Sequence, residues 1–329
     1  MSTRPSDIHA SSALTVVIPT HNGRERLCRC LDSLRAQSQP PSAIIVVDDA
    51  SSDGTAAVIA EVFPEVRVVT RASNGGFCKA INEGLRMANT EAVMTLNDDM
   101  TLAPDALERL MAAWSDEVVV GPLILFDDDP GIVYAAGDRL LSNGRPESIG
   151  FRQSLEHFSS EEPIAGITAG AAIYPRALLE QIGGFDERFV AYFDDMDVSL
   201  RLRWLGIEPV LVREAIARHE GAASIQGRTW WRTRQCSRNH AMLVLKHWPW
   251  RLLIRNAPGI LREGLAGIRR TFNAARVDRG SARALVCVLG VMGEWCWLLP
   301  CALIARHRIA RKVSAGTFES WLTPQDRKP

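Results

Sequence analysis

The feature that most constrains this chain is a repeated unit: a short apolar run rich in strand formers that stops in a polar turn, followed by apolar residues at helical spacing. Leu14-Thr15-Val16-Val17-Ile18 stops at Pro19-Thr20-His21-Asn22-Gly23, and Arg24 to Gln37 then places Leu27, Leu31 and Leu34 on one face. Pro40-Pro41 ends that unit, and Ala43 to Val47 runs into Asp48-Asp49-Ala50-Ser51-Ser52-Asp53-Gly54-Thr55. Val66 to Val69 forms a third strand, followed by Arg71, the loop Asn74-Gly75-Gly76-Phe77 and a helix over Lys79 to Ala88. Alternation at this pitch predicts βαβ units in an α/β fold with a mostly parallel sheet.

Ala92-Val93-Met94-Thr95-Leu96 reads as a buried parallel strand that stops abruptly in Asn97-Asp98-Asp99. Ligands of open α/β sheets bind outside the carboxyl ends of the strands, so two carboxylates and an amide stand at the mouth of a site. Adjacent acids repel one another, and hard oxygen donors of this type suit Mg²⁺ or Mn²⁺, which complete their shell with water and substrate phosphates. The alternative is a plain turn, where Asn and Asp are common. Pro104 is expected to open the next helix, and residues 127–162 read as a loop-rich excursion with short strands. Order returns at Gly166 to Tyr174. Gly183-Gly184-Phe185-Asp186 and Tyr192-Phe193-Asp194-Asp195-Met196-Asp197 then lead into a helix over Val198 to Leu205, and a last strand near Pro209 to Val212 delivers Arg218-His219-Glu220-Gly221.

Charge is unevenly placed. Residues 228–329 carry 19 Lys and Arg against 5 Asp and Glu, and seven of the nine tryptophans. Cations beside tryptophans favour an anionic membrane surface, with a solvated basic face as the alternative. Ala284 to Ala305 is long enough to span a bilayer, but Glu294 lies in its middle with Gly290, Gly293 and Pro300. An acid at the centre of a span costs about 2.5 kcal/mol or more. A helix lying in the interface or packed on the body is therefore expected. Seven scattered cysteines without CxxC spacing predict free thiols in a reducing compartment. Met1 to Ser12 lack an apolar core, which predicts no secretory leader.

Six segments resemble family 2 glycosyltransferases of the GT-A fold, in order and spacing. They are Val17-Ile18-Pro19-Thr20-His21-Asn22, Val46 to Thr55, Asn74-Gly75-Gly76-Phe77 with Asn82-Glu83-Gly84, Leu96 to Asp99, Gly183 to Glu187 and Asp194 to Asp197. The Asn-Gly-Gly-Phe loop and the Asn opening the metal motif look like the rhamnosyltransferase and galactofuranosyltransferase branch, which builds bacterial surface polysaccharides. The resemblance implies a disordered tail over 1–12, a GT-A catalytic domain over 13–228 and a basic, Trp-rich helical region over 229–329. It also implies a UDP- or dTDP-sugar donor, a glycan or polyprenyl-pyrophosphate-linked acceptor, no nucleic-acid partner, and a cytoplasmic enzyme peripheral on the inner face of the cell membrane.

Residue by residue, the resemblance implies Asp99 as metal ligand with Asp98 beside it, and His219 where some relatives add a third. Asn97 stands where the family often has Asp, which lowers the charge at the site. A lone His at a strand end is also commonly structural. Asp195 matches the family's general base and Asp194 the preceding acid. Their like charge, with that of Asp197, would raise the pKa of the base, although Asp194 and Asp197 could equally cap the following helix. Pro19, Thr20, Asn22, Asp48, Asp49, Arg71, Asn74, Gly75 and Gly76 fall on the donor side. Spacing does not separate Asp48 from Asp49 as the acid that meets the base. Gly170, Ala171, Arg238 and Asn239 fall on the acceptor side, with Arg232, Arg234 and Lys246 as further cations for a lipid pyrophosphate.

Competing classes fit less well. The first strand end has neither the Gly-rich, Lys/Arg-containing signature of sugar nucleotidyltransferases nor GxGxxG. A non-catalytic carbohydrate-binding or scaffold relative would have little reason to keep Asp99, Asp195 and His219 together.

Overall fold

The computed structural model describes residues 13–159, 162–221 and 229–324; the expected tail over 1–12 lies outside them. In chain order, β1 (Leu14–Thr20), α1 (Arg24–Arg35), β2 (Ala43–Asp48), α2 (Thr55–Val62), β3 (Arg67–Thr70), α3 (Phe77–Met87) and β4 (Ala92–Leu96) form the βαβ half. β5 (Met100–Leu102), α4 (Ala106–Ala113), β6 (Val118–Phe126), β7 (Val133–Ala135), β8 (Asp138–Leu141), β9 (Pro146–Ser148), β10 (Ala171–Pro175), α5 (Arg176–Gln181), α6 (Asp194–Trp204) and β11 (Glu208–His219) follow. The chain ends in α7 (Thr229–His247), α8 (Trp250–Arg279), α9 (Ser281–Arg308), α10 (Ala315–Ser320) and β12 (Leu322–Thr323).

The main sheet runs β3-β2-β1-β4-β10-β6-β11-β5, with β7 on β6. It is parallel over β3-β2-β1-β4. Beyond β4 it is mixed, because β10 runs antiparallel to both β4 and β6 while β11 is parallel to β6. Both faces of β1 and β4 are covered, so successive residues feed opposite cores. Val16, Ile18 and Met94 pack with α1, and Val17 and Val93 pack with the cluster holding Ile81, Phe185 and Trp204. This is why these strands are apolar throughout rather than alternating. Pro104 precedes α4 rather than opening it, since Asp105 is the residue ahead of Ala106.

The C-terminal helices are joined to the sheet by buried charge. Asp197, fully buried on α6, accepts from Arg201 Nε (2.9 Å) and His247 Nε2 (2.8 Å), and Lys246 Nζ stands 2.7 Å away. It does not cap α6: the helix begins behind Phe193, and the Asp197 N–H donates to the Phe193 carbonyl. Burial would raise the Asp197 pKa, but Arg201, Lys246 and His247 outweigh it and hold the carboxyl well below its ordinary value. Burial also pushes His247 down to about 4 despite its bond to Asp197. Further along, Trp204 stacks on Phe318 at 5.0 Å, the Lys312 N–H donates to the Trp204 carbonyl, and β12 pairs with β8.

Removing one partner from such a cluster leaves uncompensated buried charge. Asp197→Asn should therefore cost about 3–5 kcal/mol in urea unfolding. In the native chain, the stability that ionised Asp197 contributes is present above the unfolded carboxyl pKa and is lost as pH falls through the depressed folded value. Equal unfolding midpoints for the two chains would refute the assignment.

Candidate active site

The C-terminal ends of β1, β2, β4 and β11 point to one side, because β1, β2 and β4 are parallel and β10 reverses twice between β4 and the β6-β11 pair. Each end delivers polar residues. At β1, the Thr20 hydroxyl donates to Asp98 Oδ2 (2.6 Å), and Arg26 Nη2 reaches the same oxygen at 3.3 Å. Gly23 is required here: a Cβ on it would lie 2.2 Å from that oxygen. Burial pushes the Asp98 pKa up to about 6, against the pull of Arg26 and Thr20. Pro19 is buried in register with Val47, and Asn22, at φ 50°, accepts from the Ser52 N–H (2.8 Å).

The neighbours Asp48 and Asp49 differ sharply. Asp49 accepts from Arg71 Nη1 (2.5 Å) and from the backbone N–H groups of Gly75 (2.9 Å) and Gly76 (2.8 Å), so its carboxylate holds the Asn-Gly-Gly loop in place. The Asp48 carboxylate accepts from the Ser51 N–H alone (3.0 Å) among the described residues. Arg71 also binds Glu83, and Asn74 is exposed at the loop's edge. Gly76 sits at φ 85° with its Cα against Val190, which joins this loop to the segment ahead of α6.

β5 and β11 pair with His219 opposite Met100, and this register sets His219 beside Asp99: Nε2 and Oδ1 are 3.1 Å apart. His219 is buried and its Nδ1 has no partner among the described residues. A carboxylate oxygen and an imidazole nitrogen this close together fit as two neighbouring ligands of one divalent cation that takes its other ligands from water and phosphate. No cluster of three or more His, Cys, Asp or Glu side chains forms a complete cage among the described residues. Tyr134 packs edge-on against His219 with centroids 4.3 Å apart, and burial pushes its pKa up to about 12.

Asp194 and Asp195 open α6. Asp194 is buried and Asp195 is partly buried, its Oδ1 accepting from the Met196 N–H (2.8 Å) and its carboxylate also from the Thr168 hydroxyl. Burial raises the Asp195 pKa, and burial followed by the charge of Asp195 raises that of Asp194 well above the ordinary range. Asp138, on β8, accepts from Ser148 (2.8 Å) and is pushed up to about 7 by burial and by Asp195. The loop carrying Thr168 leads through Gly170, whose carbonyl accepts from the Asn97 N–H (2.8 Å), to the fully buried Ala171 opposite Leu96. Asp195 is thereby linked, through Thr168 and Gly170, to the motif that carries Asp99.

Arg238 and Asn239 are not free to meet an acceptor. Asn239 Nδ2 donates to the carbonyls of Phe189, Ala191 and Tyr192 at 2.8–2.9 Å, and Arg238 donates to the Arg188 carbonyl and to Glu294. Lys246 is bound to Asp186 and Asp197, and Arg234 to Glu294. Arg232 is exposed over Tyr192, with its guanidinium 6.0 Å from the ring centroid. Arg26, Tyr134, Asp138 and Thr168 were not singled out from the sequence. Asp138 and Tyr134 fall in the weakly patterned excursion, and nothing in the spacing of Arg26 points to a carboxylate on another strand.

The sequence matches glycosyl transferase family 2 over residues 15–183, and the chain belongs to that family; it is a glycosyltransferase enzyme. It is 28% identical over 243 residues, 65% of this chain and 78% of the relative, to an N-acetylglucosaminyl-diphospho-decaprenol L-rhamnosyltransferase of Mycobacterium tuberculosis. Among solved structures it resembles GalNAc-T7 with UDP, GalNAc and Mn²⁺ (TM-score 0.57, 16% identity), covering 74% of this chain and only 49% of that one. It also resembles a mannosyltransferase from Pyrobaculum calidifontis with GDP-Man and Mn²⁺ (TM-score 0.55, 19% identity, 93% and 90% covered). The fold is the GT-A fold.

Asp138 and Asp195 repel each other when both are ionised, so neutralising one lowers the pKa of the other. In Asp138→Asn the acidic limb of the transfer-rate pH profile should move to lower pH; an unmoved limb would refute the coupling. Because the folded pKa of Asp138 stands above that of an unfolded carboxyl, its ionisation weakens the fold as pH rises towards about 7. The melting temperature of Asp138→Asn should accordingly gain more on the native chain at alkaline than at acidic pH.

Proposed function

We propose that this chain is an inverting, metal-dependent glycosyltransferase that moves a sugar from a UDP- or dTDP-sugar to a glycan on a polyprenyl pyrophosphate, for bacterial surface polysaccharide, at the inner face of the cell membrane. The observation that carries the reading is the pairing of a partly buried, pKa-raised Asp195 with the Asp99 and His219 pair, the two joined through Thr168 and Gly170. The rhamnosyltransferase relative supports the acceptor class.

In this mechanism Asp48, bound through a single oxygen, accepts from the nucleobase imide. Asp49 and Arg71 hold the Gly75-Gly76 backbone close to the donor, with Asn74 at its edge, while Pro19, Thr20 and Asn22 shape the wall beside it. Asp99 and His219 would hold Mn²⁺ or Mg²⁺, with Asp98 behind them fixed by Thr20 and Arg26. That ion would stabilise the leaving diphosphate as a Lewis acid. Asp195 takes the proton from the acceptor hydroxyl as its oxygen bonds to the anomeric carbon and the glycosyl–phosphate bond breaks. Attack opposite the leaving group inverts the centre. A raised pKa suits this task because it brings the base nearer to working pH. Asp194, buried beside the base, favours its neutral form, because burial and the charge of Asp195 raise its pKa. Arg232 replaces Arg238 and Asn239 as the residue offered to the acceptor pyrophosphate, since it is exposed while the other two are engaged on carbonyls.

Asp195→Asn should lose about 10²–10⁴-fold in transfer rate. It should keep the thermal stabilisation that UDP or dTDP with Mn²⁺ confers by binding the folded state. Unimpaired transfer would remove Asp195 as the base. No stabilisation of the native chain by either nucleotide with Mn²⁺ would remove the donor site and favour a non-catalytic relative.

A further inference from the structure

Helix α9 combines two faces with opposite fates. Ala284, Val291, Leu298 and Ala302 are buried against the rest of the protein. Opposite them, Leu285, Val286, Leu289, Met292 and Trp297 are 49–67% exposed, and Cys296 beside them is exposed too. Between Arg283 and Arg306 the single charged residue is Glu294. It lies on neither apolar stripe and is bound by Arg234 and Arg238 of α7. An uncharged, solvent-facing stripe of this length calls for a covering.

α8 borders it with charge. Trp250, Ile254, Leu261 and Leu265 form a stripe 52–74% exposed, and Arg251, Arg255, Arg262 and Arg269 recur one residue further round the helix. Over α8 and α9 there are ten arginines and three acids. Glu263 is bound by Arg270, Glu294 by α7, Asp278 accepts from the Trp230 N–H, and Arg255 is paired with Glu319 of α10, which leaves Arg251, Arg262 and Arg269 of the row. The charge left facing outward is positive.

Both ends of the α8–α9 hairpin return to the same body. His247 and Lys246, just ahead of α8, hold Asp197. Just past α9, the Lys312 N–H donates to the Trp204 carbonyl (2.7 Å), Phe318 stacks on Trp204, and β12 pairs with β8. A spanning α9 would leave these contacts on opposite sides of a bilayer. A helix lying in the interface satisfies them all.

We propose that α8 and α9 seat this protein on an anionic bilayer, α9 lying in the membrane plane with its Leu285–Trp297 face among the acyl chains and the α8 arginines on lipid phosphates. The charge complementarity selects the occupant. A second copy related by two-fold symmetry would set the same arginine row against itself, whereas an anionic leaflet neutralises it. This seating is independent of the transfer chemistry. It goes beyond the proposed location by naming the surface, and it excludes a span.

The full chain should float with vesicles of phosphatidylglycerol and phosphatidylcholine, and less with phosphatidylcholine alone. It should be released by alkaline carbonate. Leu289→Glu with Met292→Glu should weaken partitioning about tenfold or more. Arg262→Ala with Arg269→Ala should erase about tenfold or more of the phosphatidylglycerol preference. Both variants should melt as the native chain does, since all four side chains are exposed, and both should keep stabilisation by nucleotide with Mn²⁺, which separates this test from that of the donor site. Native chain that stays in solution, a Leu289→Glu/Met292→Glu chain that floats equally well, or retention after carbonate would overturn the proposal. So would a solution dimer that the glutamates dissociate, because a second copy would then cover the face.

Discussion

Everything around Asp195 depends on one buried charge. Asp197 lies two residues beyond Asp195 on α6, fully buried, and its carboxylate is met by the cations Arg201 of α6 and Lys246 of α7 and by the His247 ring. Taking one carboxylate out of water is costly unless partners are held in good geometry, so α6 and α7 must stay in register. Asp195 is thus mounted on a helix that cannot rotate without breaking this cluster. The C-terminal helices become a structural requirement of the segment that carries Asp195.

Asn239 extends the same logic to the loop before α6. Val190, Tyr192 and Phe193 have φ of 66°, 66° and 68°, left-handed values that a β-branched or aromatic residue adopts at roughly 1–3 kcal/mol each. Asn239 offsets this by donating to three carbonyls of the segment, and Gly76 packs against Val190 from the donor side. The loop is therefore gripped from two directions: one grip comes from the loop that Asp49 holds, the other from α7, which is itself tied to α9 through Arg238 and Glu294.

Much of this was legible beforehand, and the reasons are local. A strand covered on both faces must be apolar throughout, which is why β1, β2 and β4 stood out, and a polar cluster at a parallel strand's end has little to do except meet a ligand or turn. Thr20, Asp48, Asp99 and His219 could be singled out on that ground, together with the resemblance of the motifs. β6 and β10 were less visible as strands, and Asp138 and Tyr134 lay in a stretch whose short strands carry too few residues for a period to show.

By itself, the sequence determined the α/β alternation, the family motifs and the uncharged stretch interrupted by Glu294, because periodicity, turn chemistry and charge are written residue by residue. Only the tertiary structure decided what neighbouring residues do. It separated the Asp48 carboxylate from that of Asp49 by aiming the Arg71 guanidinium and two N–H groups at Asp49 alone, and it turned Arg238 and Asn239 inward as clamps. It also took Asp197 out of the helix cap and into an ion cluster, and returned the chain after α9 to the side it left. Each of these depends on which distant side chains share a volume, and spacing along the chain carries no record of that.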